Sequence, residues 1–164
     1  KTLLATAIVK PTGALSVSEN YIGGPEKAGT NDEWRHLSDT VVGYTVSQTV
    51  SVLGNVDYAH ESFGGAAAHW FGVAGYVKYQ ATPILALVPR VEYFDDAQGA
   101  STGTVQKLKS ATLTFEVKPA DSFIWRIEYR GDFSDVSSFV DDTGAAKKNQ
   151  QSIAFGVLYS ISSK

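Results

Sequence analysis

His60, Glu61 and His69 offer two imidazoles and a carboxylate close together in the chain, the donor types a divalent metal takes. They flank a stretch of Gly and Ala, however, and scattered donors of this kind are read as hydrated loop residues. The Asp95-Asp96 and Asp141-Asp142 pairs carry the oxygen ligands of a weak calcium site, but both lie among loop formers and are read as solvated. Gly23-Gly24-Pro25-Glu26-Lys27-Ala28-Gly29-Thr30 superficially matches a phosphate loop. The order of its Gly, Lys and Thr is broken and no helix follows, so Gly and Pro there are turn formers. No G-x-S-x-G elbow occurs. Cysteine is absent, which excludes disulfides, thiolate zinc sites and a Cys nucleophile. Neither a metal nor a cofactor is expected, and no enzymatic activity.

The remaining chemistry is ionic, and it falls at alternate positions. Arg35, Asp39, Asp57, Lys78, Arg90, Glu92, Glu116, Arg126, Glu128, Arg130 and Asp132, together with Asn55 and Lys118, form one set, with six basic and six acidic members. Only strands hold every second residue on one face. Period-2 patterning recurs nine times, at about 2–10, 14–22, 34–46, 49–60, 69–80, 83–95, 105–118, 122–133 and 150–161. The eighth segment shows it best: Phe123, Trp125, Ile127, Tyr129 and Phe133 alternate with Arg126, Glu128, Arg130 and Asp132.

Tight polar turns at 10–13, 46–49, 80–83 and 118–121 alternate with longer Gly-, Ser-, Asp- and Ala-rich segments at about 23–33, 61–68, 95–104 and 134–149. Short turns on one side and long loops on the other mark a transmembrane β-barrel. The expectation is an all-β, antiparallel, up-and-down segment of about nine strands running as one unit over residues 1–164.

The aromatic residues favour membrane over a soluble barrel. Trp34 and Tyr44 share a face ten residues apart. At strand rise and barrel tilt this is roughly 25 Å along the membrane normal, the height of an apolar band between two aromatic girdles. Tyr21, Tyr58, Trp70 and Tyr93 are placed beside the long loops, and Tyr79, Phe123 and Tyr159 near the short turns. A mean hydropathy of -0.09 is compatible with this, because polar lumen residues offset the lipid-facing ones. The formal net charge of -3 leaves no footprint for nucleic acid.

The lipid-facing set has faults. Glu19 shares a face with Leu15, Val17 and Tyr21. If Tyr21 pairs with Trp34, Glu19 falls opposite His36, beside Ser38 and Thr40. The plainer reading of this polar patch is a register slip or an interfacial position; the sharper one is a contact with another protein, such as a second copy of the barrel or another envelope protein. Pro89 removes a ladder donor and predicts a bulge. Lys109 is expected to snorkel to the loop-side rim.

Several stretches resemble the OmpL-like outer-membrane porins, a β-barrel porin family. They are Tyr21-Ile22-Gly23-Gly24-Pro25-Glu26 followed by Trp34-Arg35-His36-Leu37 and Asp39, then Arg90-Val91-Glu92-Tyr93-Phe94-Asp95-Asp96 with Gly99 and Thr102-Gly103, then Glu128-Tyr129-Arg130 with Asp132 and Ser134-Asp135. The resemblance implies a porin in the outer membrane of a Gram-negative bacterium, with this chain as the C-terminal portion of a larger barrel. Its end departs from the pattern, since Tyr159 is followed by Ser160-Ile161-Ser162-Ser163-Lys164 rather than closing the strand on an aromatic. Nine strands, where single-chain bacterial barrels have even counts, also fit a fragment. The expected partners are outer-membrane lipid and small hydrophilic solutes. The expected function is a weakly selective diffusion channel, with a non-conducting structural or adhesive barrel as the alternative and a soluble barrel for an apolar ligand third.

Overall fold

The computed structural model describes residues 1–26, 29, 31–63 and 66–161, with Phe63 by its backbone alone. Alternation becomes strand throughout. The elements are β1 (Leu3–Val9), β2 (Leu15–Pro25), β3 (Trp34–Thr45), β4 (Val50–Phe63), β5 (Ala66–Thr82), β6 (Leu85–Asp96), β7 (Gln106–Ala120), β8 (Phe123–Ser134), β9 (Phe139–Val140), β10 (Ala146–Lys147) and β11 (Asn149–Tyr159). Nine of them form one antiparallel sheet in the order β1-β2-β3-β4-β5-β6-β7-β8-β11. This is the expected meander, and it stays open: among the described residues nothing pairs the outer edge of β1 or of β11.

Hydroxyl groups close three of the four short turns, as Ser and Thr do where they compete with the backbone ladder. Thr12 Oγ1 accepts from the Leu15 amide (3.1 Å), Ser47 Oγ from the Val50 amide (3.1 Å) and Thr82 Oγ1 from the Leu85 amide (3.1 Å). At the fourth, Lys118 pairs with Asp121 at 3.0 Å. The third and fourth turns sit two to three residues later than expected. Register shifts between Gln80 and Thr82, and between Val117 and Ala120, carry the strands further.

The structure corrects four local expectations. The long loop at 61–68 is mostly strand, because β4 runs through Phe63, β5 begins at Ala66, and Ser62 pairs with Ala67. Small Ala side chains read as loop formers, yet a partnered ladder accepts them. The loop over 134–149 contains its own small hairpin, β9 with β10, turning at Gly144 with φ 83. The β5–β6 ladder keeps one register across Pro89, so the bulge lies at Gln80 and Thr82 instead. Finally, β2 continues through Gly23, Gly24 and Pro25, so that Pro25 pairs with Trp34 and Tyr21 with Ser38. Glu19 therefore faces Thr40, not His36.

Burial is inverted relative to a soluble domain. Among the described residues the buried apolar side chains are Ala59, Trp70, Ala74 and Ala86, whereas nine polar or charged residues are buried. Large apolar residues are exposed instead: Ile153 at 77%, Phe155 at 67% and Val91 at 64%. Among the described residues the strands of this sheet contact chiefly their ladder neighbours, so its polar face is buried by its own curl and, at the loop-side end, by loop residues such as Gln98 and Phe139. The polar face is concave and the apolar face convex.

Candidate functional site: the two faces of the sheet

Register fixes which residues share a face. Starting from Ile127, the convex row passes through Phe115 on β7 and Phe155 on β11. The same parity carries Tyr21, Trp34, Tyr44, Tyr58, Tyr79, Tyr93, Phe123 and Tyr159 on the convex side. Phe123 packs edge-on against Trp125 (5.8 Å between centroids) and Tyr159 (6.1 Å) at the short-turn end. Trp70 does not belong to this set. It shares parity with Lys78 on β5, lies on the concave face at 6% exposure, and carries the Arg35 guanidinium 5.3 Å from its ring.

On the concave face stand the charged residues read from alternation, and they meet one another. Glu116, 7% exposed, receives Lys78 Nζ at 2.5 Å and Arg126 Nη2 at 2.9 Å. Arg130 bridges Glu92 (2.8 Å) and Asp132 (2.7 Å), and Arg90 reaches Glu92 (3.2 Å) and Glu128 (3.8 Å). Several of these pairs skip a strand: Lys78 on β5 meets Glu116 on β7, and Arg130 on β8 meets Glu92 on β6. That reach follows from the inward curl. Ser110, Thr112 and Thr114 fill the intervening row as donors and acceptors, Ser110 Oγ donating to Asp132 Oδ1 at 2.7 Å.

A second cluster lies on β2 to β4. Asp39 and Asp57 are direct cross-strand partners. Asp39 accepts from Asn20 Nδ2 (2.9 Å) and from Asn55 Nδ2, amide donors standing where cations stand further along the sheet. At the loop end Arg35 donates to Glu61 Oε2 through Nε (3.0 Å) and Nη2 (2.7 Å) and lies 3.6 Å from Glu26. By sequence Glu61 stands beside His60 and His69 as a third candidate donor. It points instead to the concave face, opposite to both histidines, and serves as the partner of Arg35.

The loops are shaped by acidic caps. Asp96, 0% exposed, accepts through Oδ2 from the Ser101 amide (3.1 Å), the Thr102 amide (2.7 Å) and Thr102 Oγ1 (2.9 Å), organising residues 97–105. Asp141 holds the β9–β10 turn through Thr143 and the Ala145 amide, with Lys147 at 2.9 Å. The Lys147 ammonium, with these donors, holds the Asp141 carboxyl well below the usual carboxylate range.

On the convex face, Glu19 accepts from Thr40 Oγ1 at 2.5 Å, with Tyr21–Ser38 as the next pair. His36 pairs with Gly23, and its Nδ1 lies 2.6 Å from the Tyr21 hydroxyl, so Tyr21 takes the role expected of Glu19. One arrangement went unread in the sequence. His36 pairs with His60 and His60 with His69, so the chain's three histidines form one row across β3, β4 and β5. Among the described residues no three donors converge on one point as metal ligands.

A curled meander with an apolar outside and an ionic inside defines the wall of a membrane β-barrel. The family model described as "Putative beta-barrel porin-2, OmpL-like" matches residues 1–161. The chain belongs to that family of β-barrel porins, whose place is a membrane. No curated protein matches the chain. No solved structure matches it.

Proposed function

We propose that this sheet is part of the wall of an outer-membrane diffusion channel that passes small hydrophilic solutes and discriminates weakly between ions. The observation that carries this reading is the concave face itself, where charged side chains are held in place by partners of opposite sign. A wall of paired charges keeps a lumen polar without the ring of one sign that strong selectivity needs. The free edges of β1 and β11 bear on barrel size. Unpaired backbone groups are too costly in hydrocarbon to leave open, so further strands join both edges, and a barrel wider than nine strands leaves room for water.

Liposome swelling with uncharged sugars of increasing size tests this reading. Swelling that slows steadily with sugar size supports a size-filtering channel. Absence of swelling from protein shown to be inserted favours a structural or adhesive barrel.

We also propose that the convex patch of Glu19, Ser38 and Thr40, with His36 at its margin, meets a second copy of the barrel. A carboxylate on the lipid side is costly, and beside it β1 presents the small Ala7, flanked by Ala5 and Val9, to a neighbour. A photocrosslinker at position 38 should capture protein. Capture of lipid alone would remove the contact.

A further inference from the structure

The convex face is electrically lopsided. Its short-turn half carries Tyr44, Val52, Val77, Tyr79, Phe115 and Trp125 and, among the described residues, no basic side chain. All the basic side chains that the strands turn outward lie in the loop-side half: His36, His60, His69, Lys107 and Lys109. Three of the five have ring or charge partners, His60 lying stacked on His36 at 6.5 Å. His36 is engaged by the Tyr21 hydroxyl and stacked on Trp34 at 5.8 Å. Lys107 lies 3.7 Å from Asp95, which with Glu19 makes up the outward-facing acids of the strands.

Lys109 is different. It stands exposed between Tyr93 on β6 and Phe133 on β8, and among the described residues no carboxylate forms an ion pair with it. His69 stands exposed on β5, two strands from Lys109, and pairs across the ladder with His60 on β4, three strands from it.

An unpaired ammonium on the lipid side is stable only where its stem lies along apolar neighbours and its head reaches the polar headgroups. Tyr93 and Phe133 supply the apolar neighbours. Phosphate suits the head, since it accepts charge-assisted hydrogen bonds from ammonium and also accepts from imidazole N–H groups. We infer that the loop-side rim of the convex face binds the phosphate of anionic lipid headgroups, with Lys109 as the anchoring cation and the His60–His69 pair as further donors. This rests on the membrane-barrel reading above and adds to it the chemistry of the lipid and the residues that select it.

The test uses the native protein, detergent-extracted and placed in phosphatidylcholine nanodiscs. The discs are doped with either phosphatidic acid or diacylglycerol of the same chains, which differ only in the phosphate. Bound lipid is read by mass spectrometry of the intact complex. Phosphatidic acid should be retained and diacylglycerol not, and Lys109→Gln should lower retention about fivefold, the effect of one cation near an anionic surface. A double variant, His60→Gln with His69→Gln, should lower it independently of Lys109. Because these side chains face away from the lumen, sugar permeation should not change in any variant.

Equal retention of the two lipids, or full retention by Lys109→Gln, would overturn the inference. Displacement by inorganic phosphate at matched concentration would overturn the lipid as the occupant. Failure of the unmodified protein to enter the nanodisc would instead overturn the membrane reading beneath it.

Discussion

Ile127 separates a lipid-facing surface from a water-facing one more sharply than any charged residue of the chain. It lies near the middle of β8, within about 5 Å of the strand's midpoint at ordinary rise. It points to the convex side at 53% exposure, between Phe115 and Phe155. On a soluble protein, Ile127→Lys at such an exposed site would change stability by no more than about 0.5 kcal/mol. On the outside of a barrel it places an ammonium near the bilayer midplane, at a cost of about 2–4 kcal/mol. That corresponds to roughly a 30- to 700-fold change in the folding equilibrium. Equilibrium unfolding from lipid vesicles in guanidinium, compared at constant m, measures the difference. A cost within about 0.5 kcal/mol of zero would refute the assignment of this face to lipid.

Three further outcomes follow from the concave face and the loops. Glu116→Gln removes the shared carboxylate of Lys78 and Arg126; the reversal potential in a salt gradient should move toward anions, with a stability loss of only about 1 kcal/mol because both cations are partly solvated. Asp96→Ala removes three hydrogen bonds from the 97–105 loop and should speed its proteolysis, at a cost of about 1–3 kcal/mol, while sheet content by circular dichroism is unchanged. The β9–β10 turn should loosen in acid. The folded-state pKa of Asp141 is depressed, so its contribution is fully present above the ordinary carboxylate value near ~3.9 and fades as pH falls below it. Amide exchange at Thr143 and Ala145 should therefore be protected at neutral pH and lose that protection in strong acid, whereas constant protection across this range would contradict the cap.

Alternation made most of the sheet legible, because each strand faces two different media and the period of two survives in the side chains. β8 is the clearest case: Phe123, Trp125, Ile127, Tyr129 and Phe133 share one face of the sheet and Arg126, Glu128, Arg130 and Asp132 the other, as the alternation expects. What stayed hidden lies where local signals compete with pairing. Gly23, Gly24 and Pro25 read as turn formers, yet they belong to β2, and that extension moved the partner of Tyr21 from Trp34 to Ser38. The Ala66–Ala68 run, on the same grounds, concealed strand and with it the His60–His69 pairing. Trp70 was legible and misassigned. Lys78, read as inward, lies eight residues along the same strand, so parity alone places Trp70 beside it on the concave face. The ion pairs that skip a strand were not legible, since alternation gives the face of a residue and not the curl of the sheet.

Planar-bilayer conductance of the native protein under a salt gradient tests the central claim most directly. Large, steady steps with a reversal potential close to zero are expected from a wide lumen lined by paired charges. No conductance from protein shown to be folded and inserted would contradict the channel and leave a barrel whose ionic interior is merely its packing.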